Sequence, residues 1–75
     1  MEAYKNLGGD SAVTGYEIGA DYITVWFKTS HNGYRYSNAK TGSGNVQHMK
    51  SLAVAGSGLN TFINQNKKTL GFDRV

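Results

Sequence analysis

The chain is 75 residues long, carries a net charge of +3 and contains no cysteine. The absence of cysteine excludes disulfides and thiolate metal sites. A domain of this length has a small core and marginal stability. The protein could therefore be a monomer or a homo-oligomer, in which further surface is buried between subunits.

Residues 1–10 are weakly patterned and include the pair Gly8-Gly9, which predicts a loosely ordered N-terminal arm. Residues 11–75 are then expected to form a single domain. No apolar run reaches the roughly 18 residues of a membrane-spanning helix, and the N-terminus lacks the apolar stretch of a secretion signal. These features predict a cytoplasmic protein with no membrane partner.

Three strands are predicted in the first half of the chain. Residues 12–18 alternate moderately between apolar and polar side chains. Residues 22–28 (YITVWFK) are the clearest strand, because they combine β-branched and aromatic residues. Asn32-Gly33 is typical of a two-residue type I′ hairpin turn, in which both central residues have positive φ. Residues 33–37 return as the third strand and complete an antiparallel meander.

Two short helices are predicted next, separated by Gly56-Ser57-Gly58. Apolar residues recur at helical spacing in both, namely Val46, Met49, Leu52 and Ala53 in the first and Leu59, Phe62 and Ile63 in the second. The residues before the first helix, 39–45, are expected to be a loop. Ser43 or Asn45 is expected to cap the first helix and Ser57 the second, by accepting from free backbone amides.

The predicted fold class is α+β, a three-stranded antiparallel meander followed by two short helices packed on one face (β-β-β-α-α). The helices cover one face of the sheet, and the other face is left to solvent or to a partner. We call this second side the open face, and we expect the function to reside there.

The register of the hairpin decides which side chains lie on the open face. A two-residue turn pairs His31 with Tyr34 and Thr29 with Tyr36, and it directs both tyrosines toward the helices. The open face then carries Trp26, Lys28, Ser30, Arg35 and Ser37. A three-residue turn would instead move the tyrosines beside Trp26. We prefer the first register, because Asn-Gly fits a two-residue turn.

The resulting patch of Trp26, Lys28 and Arg35 suits nucleic acid, since aromatic faces stack on bases and cations hold phosphates. The competing interpretation is that Trp26 packs in the small core and the charges are solvated surface.

The distribution of charge along the chain favours nucleic-acid binding, because no acidic residue occurs from Tyr22 to Phe72. That stretch carries the cations Lys28, Arg35, Lys40, Lys50, Lys67 and Lys68. An unneutralised group of cations attracts anions, above all phosphates.

Two Gly-Ser-Gly sequences precede the predicted helices. Free amides at a helix start bind anions, so residues 43–45 with Lys40 nearby are a candidate phosphate cradle. Helix capping and a tight turn between the helices are the competing interpretation. The candidate ligand-binding residues are therefore Trp26, Lys28, Tyr34, Arg35, Tyr36, Lys40, Ser43, Gly44 and Asn45.

No catalytic or metal-binding pattern is found in the sequence. The available groups are His31, His48, Asp10, Glu17, Asp21 and several hydroxyls. They match no metalloprotease or nucleophile motif, and two histidines cannot close a structural zinc site alone. We predict a protein that is not an enzyme, with no cofactor and no metal.

The order of certain residues resembles the KTSC domain family over residues 11–66. The matching residues are Ser11 and Val13, then Tyr16, Ile18, Gly19 and Asp21, then Ile23, Thr24, Val25 and Phe27, then Tyr34 and Tyr36, and finally Gly58, Leu59, Asn60, Phe62, Ile63 and Asn64. That family occurs at the C-terminus of some lysyl-tRNA synthetases and as free-standing small proteins in bacteria and phages. The resemblance implies RNA binding and no catalytic residues. The glycine-rich segment 37–45 replaces a short proline-containing loop, which makes the chain more similar to the free-standing versions.

Three functions follow from these patterns. The leading hypothesis is a non-catalytic module that binds RNA or a small phosphorylated nucleotide, with a phage or mobile-element protein as one form of it. The alternative is a phage-encoded inhibitor of a bacterial defence system, which docks on a host protein or sequesters a signal nucleotide. The third is a structural or oligomerising domain without a ligand.

Overall fold

The structure is a computed structural model that describes residues 2–7, 9, 12–29 and 31–75. Its strands are β1 (Glu2–Ala3), β2 (Val13–Ile18), β3 (Tyr22–Phe27), β4 (Gly33–Ser37) and β5 (Asp73–Arg74). Its helices are α1 (Asn38–Thr41), α2 (Ser43–Ala55) and α3 (Leu59–Asn66). The strands form one antiparallel sheet in the order β1-β2-β3-β4-β5, and the helices pack on one of its faces. The α+β class is thereby confirmed.

Two edge strands, β1 and β5, extend the three predicted strands to a five-stranded sheet. Each has only two residues, which is too short to show the alternation by which strands are recognised in a sequence. The β1 strand pairs with Gly15 and Tyr16 of β2. At the other edge, β5 pairs with Tyr34 and Arg35 of β4.

The N-terminal segment contacts both the core and the junction between the helices. Tyr4 follows β1 and is buried in the core, and the Leu7 amide donates a 2.8 Å hydrogen bond to the Gly56 carbonyl. These contacts join residues 2–7 to the core and to the α2–α3 junction, and the loosely ordered arm stays a prediction. Within the same arm, Met1, Gly8 and Asp10 lie outside the described residues.

The register of the β3–β4 hairpin differs from the predicted one. Trp26 pairs with Gly33 and Ile23 pairs with Tyr36, so the two strands are joined by more than a two-residue turn. Neither Asn32 nor Gly33 has positive φ, which excludes the type I′ turn. The partner of Tyr36 moves from Thr29 to Ile23, an even number of residues, so the paired side chains of β3 and β4 keep their predicted faces. Ser30 lies outside the described residues.

The core lies between the sheet and the helices. From the sheet, Ile23 and Val25 are fully buried, and from the helices Val46, Met49 and Leu59 are fully buried. Burying side chains of this kind contributes about 1.5–3 kcal/mol each relative to exposure. The apolar spacing of the two helices therefore identified these buried positions, whereas Leu52 and Phe62 of the same stripes are only partly buried.

The helix ends differ from the predicted caps. A short helix, α1, occupies part of the predicted loop, and Ser37 caps it by accepting from the Lys40 amide. The N-caps of α2 and α3 are Gly42 and Gly58, neither with a side-chain capping bond, so capping by Ser43, Asn45 or Ser57 is wrong. Positive φ values of 95° and 87° explain why glycine holds both positions.

Candidate functional site

The indole of Trp26 lies on the open face against a strand position that has no side chain. Trp26 pairs with Gly33 on one side and with Gly15 on the other. A Cβ atom added to Gly33 would lie 2.8 Å from the indole Cε2 and 2.9 Å from Nε1. The indole therefore packs directly on the Gly33 backbone, and it remains half-buried. The accessible part of the ring is available for contact with a ligand.

The guanidinium of Arg35 is held in place by two neighbours on the open face. Its Nε donates a long 3.5 Å hydrogen bond to the hydroxyl of Thr24, which pairs with Arg35 across the strands. Its Cζ lies 4.6 Å from the ring centroid of Tyr22, which is within the range of a cation–π contact. Thr24 is buried although it faces away from the helices. Arg35, Tyr22 and Thr24 therefore pack against one another on the open face.

Tyr22 connects Arg35 to an acidic residue. The Tyr22 hydroxyl donates a 3.1 Å hydrogen bond to Oε1 of Glu17. This hydrogen bond and the negative charge of Glu17 raise the pKa of Tyr22 above its ordinary value. The ring of Tyr22 is therefore fixed at its far end while its face supports the guanidinium.

Carboxylates stand on both sides of Arg35 in the sheet. Glu17 pairs with Thr24, which pairs with Arg35, which in turn pairs with Asp73. The Asp73 carboxylate contacts the Lys40 ammonium at 2.5 Å, and both side chains are about half exposed. The open face consequently has a local positive group at Arg35 and no broad positive field.

Lys28 lies just beyond the end of β3, two residues after Trp26, and is exposed. Its backbone amide donates a 2.8 Å hydrogen bond to the Ala12 carbonyl, which anchors the start of the turn. The structure thus brings Trp26 and Arg35 together on the open face, as predicted, and places Lys28 at the same end of the strand as the indole.

Tyr34 and Tyr36 lie on the opposite side of the sheet from Trp26. Tyr36 is buried, and its burial raises its pKa to about 12, with Tyr34 adding to the increase. The ring of Phe72 packs on both, with centroid distances of 5.0 Å to Tyr34 and 5.8 Å to Tyr36. The two tyrosines therefore belong to the core side and do not share a surface with Trp26, although the sequence made them candidates for the same site.

The predicted phosphate cradle is not assembled with its lysine. Lys40 lies on Asp73, and the Asn45 side-chain amide donates to the Thr41 carbonyl at 2.9 Å. Ser43 and Gly44 are exposed at the start of α2. The Asn45 side chain therefore connects the start of α2 to the end of α1.

The cations of the acid-free stretch do not gather on one side, which corrects the prediction of a single positive surface. Arg35 lies on the open face, whereas Lys50, Lys67 and Lys68 belong to the helical layer. The Lys50 ammonium donates to the Gly19 and Ala20 carbonyls at 2.9 Å and 3.3 Å. These contacts connect α2 to the β2–β3 turn, so the Lys50 ammonium is already hydrogen-bonded within the protein.

The histidines lie apart from each other. His31 is exposed in the β3–β4 connection, and the His48 ring contacts Phe62 at a centroid distance of 4.8 Å. Within the described residues, no group of three His, Cys, Asp or Glu residues could hold a metal ion. The described helices include none with the length and apolar character to cross a membrane.

Sequence reasoning missed four members of the open face: Gly15, Glu17, Tyr22 and Thr24. Tyr22, Thr24 and Trp26 alternate along one strand, which was a usable signal, because alternate residues share a face. The roles of Gly15 and Glu17 depended on the pairing of β2 with β3, which includes a register shift between Val13 and Gly15. No local pattern reveals such a shift.

Comparison with protein-family models, with curated proteins and with solved structures gives no match to this chain. The resemblance to the KTSC domain family therefore stays a prediction.

Proposed function

We propose that this protein is a non-catalytic module that binds a nucleotide unit on the open face, either within single-stranded RNA or as a free nucleotide. The observation that carries the proposal is the partly accessible indole of Trp26, packed on Gly33 and lying on the same face of the sheet as Arg35. A planar base and an adjacent phosphate are the chemistry that such a pair of groups recognises.

Stacking supplies the main part of the expected affinity. A base stacked on an aromatic side chain contributes about 1–3 kcal/mol. Antiparallel sheets that bear aromatic residues on an uncovered face are a recurrent way to bind single-stranded RNA, because unpaired bases can be splayed onto them. The open face of this sheet offers the indole of Trp26 for such stacking, whereas the ring of Tyr22 is covered by the guanidinium of Arg35.

Single strands are favoured over duplexes for a geometric reason. In a duplex the base faces are already stacked on one another, so an indole lying against a sheet has no base face to contact. The resemblance to the KTSC domain family supports RNA as the ligand. Inhibition of a host defence factor, the alternative function, stays a prediction, as does a cytoplasmic location.

The proposal is tested by measuring the affinity of a fluorescently labelled single-stranded oligoadenylate for Trp26→Leu. We expect the affinity to fall by a factor of about 5–150, which corresponds to the loss of one stacked base. The matched control is Phe72→Leu, which removes an exposed aromatic ring from the other side of the sheet. Equal affinities for wild type and Trp26→Leu would contradict the proposal.

The two sources of the nucleotide unit are separated by the same assay. Competition by adenosine 5′-monophosphate as strong as that by an oligoadenylate indicates a free nucleotide as the ligand. Affinity that rises with the length of the strand indicates RNA, because a longer strand reaches cations beyond the first phosphate.

A further inference from the structure

We propose that Arg35 is the phosphate contact of this site and that Tyr22 positions it, so that one nucleotide places its base on Trp26 and its own phosphate on Arg35. This inference rests on the proposed function and adds the chemical group that Arg35 binds. It also names a residue, Tyr22, that acts through Arg35.

Within the part of the chain that the structure describes, the guanidinium of Arg35 forms no salt bridge. Its Nε edge faces the Thr24 hydroxyl, and its Cζ lies over the Tyr22 ring. Among the residues described, neither terminal nitrogen of Arg35 takes part in a hydrogen bond with a carboxylate. Two parallel N–H groups of a guanidinium match two oxygens of a phosphate. Because Tyr22 and Thr24 already restrict the side chain, less conformational entropy is lost when a phosphate binds.

The positions of Trp26 and Arg35 suit a base and the phosphate of the same nucleotide. Trp26 pairs with Gly33, and Arg35 lies two residues further along β4 on the same face. Such diagonal neighbours on adjacent strands are about 7–8 Å apart. The absence of a side chain at Gly33 leaves no obstacle beside the indole on β4.

The acidic neighbours restrict how much negative charge the site accepts. Glu17 lies across the strands on one side of Arg35 and Asp73 on the other, the latter paired with Lys40. The additional negative charges of a triphosphate are expected to be repelled by these carboxylates, which offsets their attraction to Arg35. The ligand class is therefore a nucleoside monophosphate or a phosphodiester, in preference to a triphosphate.

The test compares the affinities of adenosine, adenosine 5′-monophosphate and adenosine 5′-triphosphate, read from the fluorescence of the single tryptophan, Trp26. For wild type we expect the monophosphate to bind roughly tenfold more tightly than adenosine, because a charged hydrogen bond is gained. The triphosphate is expected to bind no more tightly than the monophosphate. In Arg35→Gln the ratio of monophosphate to adenosine affinity is expected to fall to about one.

Variants of Tyr22 test the positioning role. Tyr22→Phe keeps the ring beneath the guanidinium and is expected to keep the ratio of affinities. Tyr22→Leu removes the ring and is expected to lower the ratio while the affinity for adenosine persists. A purely structural role for Tyr22 would reduce both affinities together or neither.

The remaining outcomes separate the assignment of the phosphate to Arg35 from the proposed function itself. An unchanged ratio in Arg35→Gln overturns the assignment of the phosphate to Arg35 and leaves stacking on Trp26 standing. Failure of wild type to bind adenosine, the monophosphate and an oligoadenylate overturns the proposed function as well. Where only the oligoadenylate binds, the ratio is measured against its neutral methylphosphonate analogue, with the same expectations.

Discussion

The absence of a side chain at Gly33 determines how Trp26 packs on the sheet. Gly33 allows the indole to approach the backbone of β4 directly, and a Cβ atom there would lie 2.8 Å from Cε2 of the ring. The same atom would lie 2.9 Å from Cγ2 of Thr24, which supports Arg35. One glycine therefore underlies the placement of both groups that we propose as ligand contacts.

Gly33→Ala is expected to destabilise the fold by about 1–3 kcal/mol, because the added methyl group overpacks the indole and Thr24. The loss is expected to be smaller in a Trp26→Leu background, which gives a measurable coupling between positions 26 and 33. Urea denaturation of both single variants and the double variant measures this coupling.

The matched control for that experiment is Gly44→Ala. Position 44 lies near the start of α2, and an added Cβ would meet no atom within 4 Å. We expect its stability to be unchanged or raised by up to about 1 kcal/mol, since alanine is the better helix former. Equal losses at positions 33 and 44 would refute the packing account of Gly33.

Tyr36 makes the stability of the fold sensitive to high pH. Its pKa is raised to about 12 in the folded protein, mainly by burial, against about 10 in an unfolded chain. Between these values the unfolded state has lost a proton that the folded state retains, so the free energy of unfolding falls as the pH rises. Below pH 10 this contribution is constant.

We expect Tyr36→Phe to remove that dependence. Between about pH 10 and 12 the free energy of unfolding of wild type should fall by up to about 1.4 kcal/mol per pH unit more than that of the variant. Denaturant titrations at a series of pH values measure the difference. Parallel curves for the two proteins would show that Tyr36 ionises as readily in the folded state as in the unfolded chain.

At the scale of the elements, the N-terminal segment connects the sheet to the helices through hydrogen bonds of Tyr4. The Tyr4 amide donates to the Thr14 carbonyl at 3.1 Å, and the Tyr4 hydroxyl accepts from the Leu59 amide at 3.3 Å. Leu59 begins α3, whose N-cap provides no side-chain acceptor. A tyrosine distant in the sequence therefore satisfies a backbone donor that the local sequence leaves unpaired.

Tyr4→Phe is expected to lower the free energy of unfolding by about 1–3 kcal/mol, because the buried Leu59 amide loses its acceptor. The control is Tyr16→Phe, at a half-buried tyrosine whose hydroxyl has no hydrogen bond within the described residues. Thermal or urea denaturation distinguishes them. Similar stabilities for Tyr4→Phe and Tyr16→Phe would contradict a capping role for Tyr4.

The elements with strong local patterns were predictable from the sequence. Alternation identified β3 and β4, and helical spacing identified the buried residues Val46, Met49 and Leu59. The face of each side chain in the hairpin was also predicted, since the register error was an even number of residues. Only the parity of the register determines the face, so Trp26 and Arg35 were placed together despite the wrong turn.

The remaining features depend on contacts between distant segments. The edge strands have two residues each, and they pair because the rest of the sheet is already formed. The neutralisation of Lys40 by Asp73 joins α1 to β5 across 33 positions of the sequence. A count of charges along the chain does not show such a pairing, which explains why the positive field was overestimated.

For the whole molecule, this arrangement of charges predicts a weak dependence of RNA binding on salt. Arg35 lies on the same face as Trp26 and Lys28 follows the end of its strand, whereas Lys40 and Lys50 are occupied by contacts within the protein. Two phosphate contacts on a single strand give a slope of about −1.4 for the logarithm of the affinity against the logarithm of the salt concentration. A slope steeper than about −3 would require a broad cationic surface, and it would contradict the arrangement described for the open face.

The most direct test of the account is an equilibrium titration of the protein with single-stranded oligoadenylate, followed by the emission of Trp26. Because Trp26 is the only tryptophan, a change in its emission reports contact at the proposed base position. We predict a saturable change with the single strand and little change with a duplex of the same length. A ligand that binds, by an independent assay, without altering the emission of Trp26 would contradict the account.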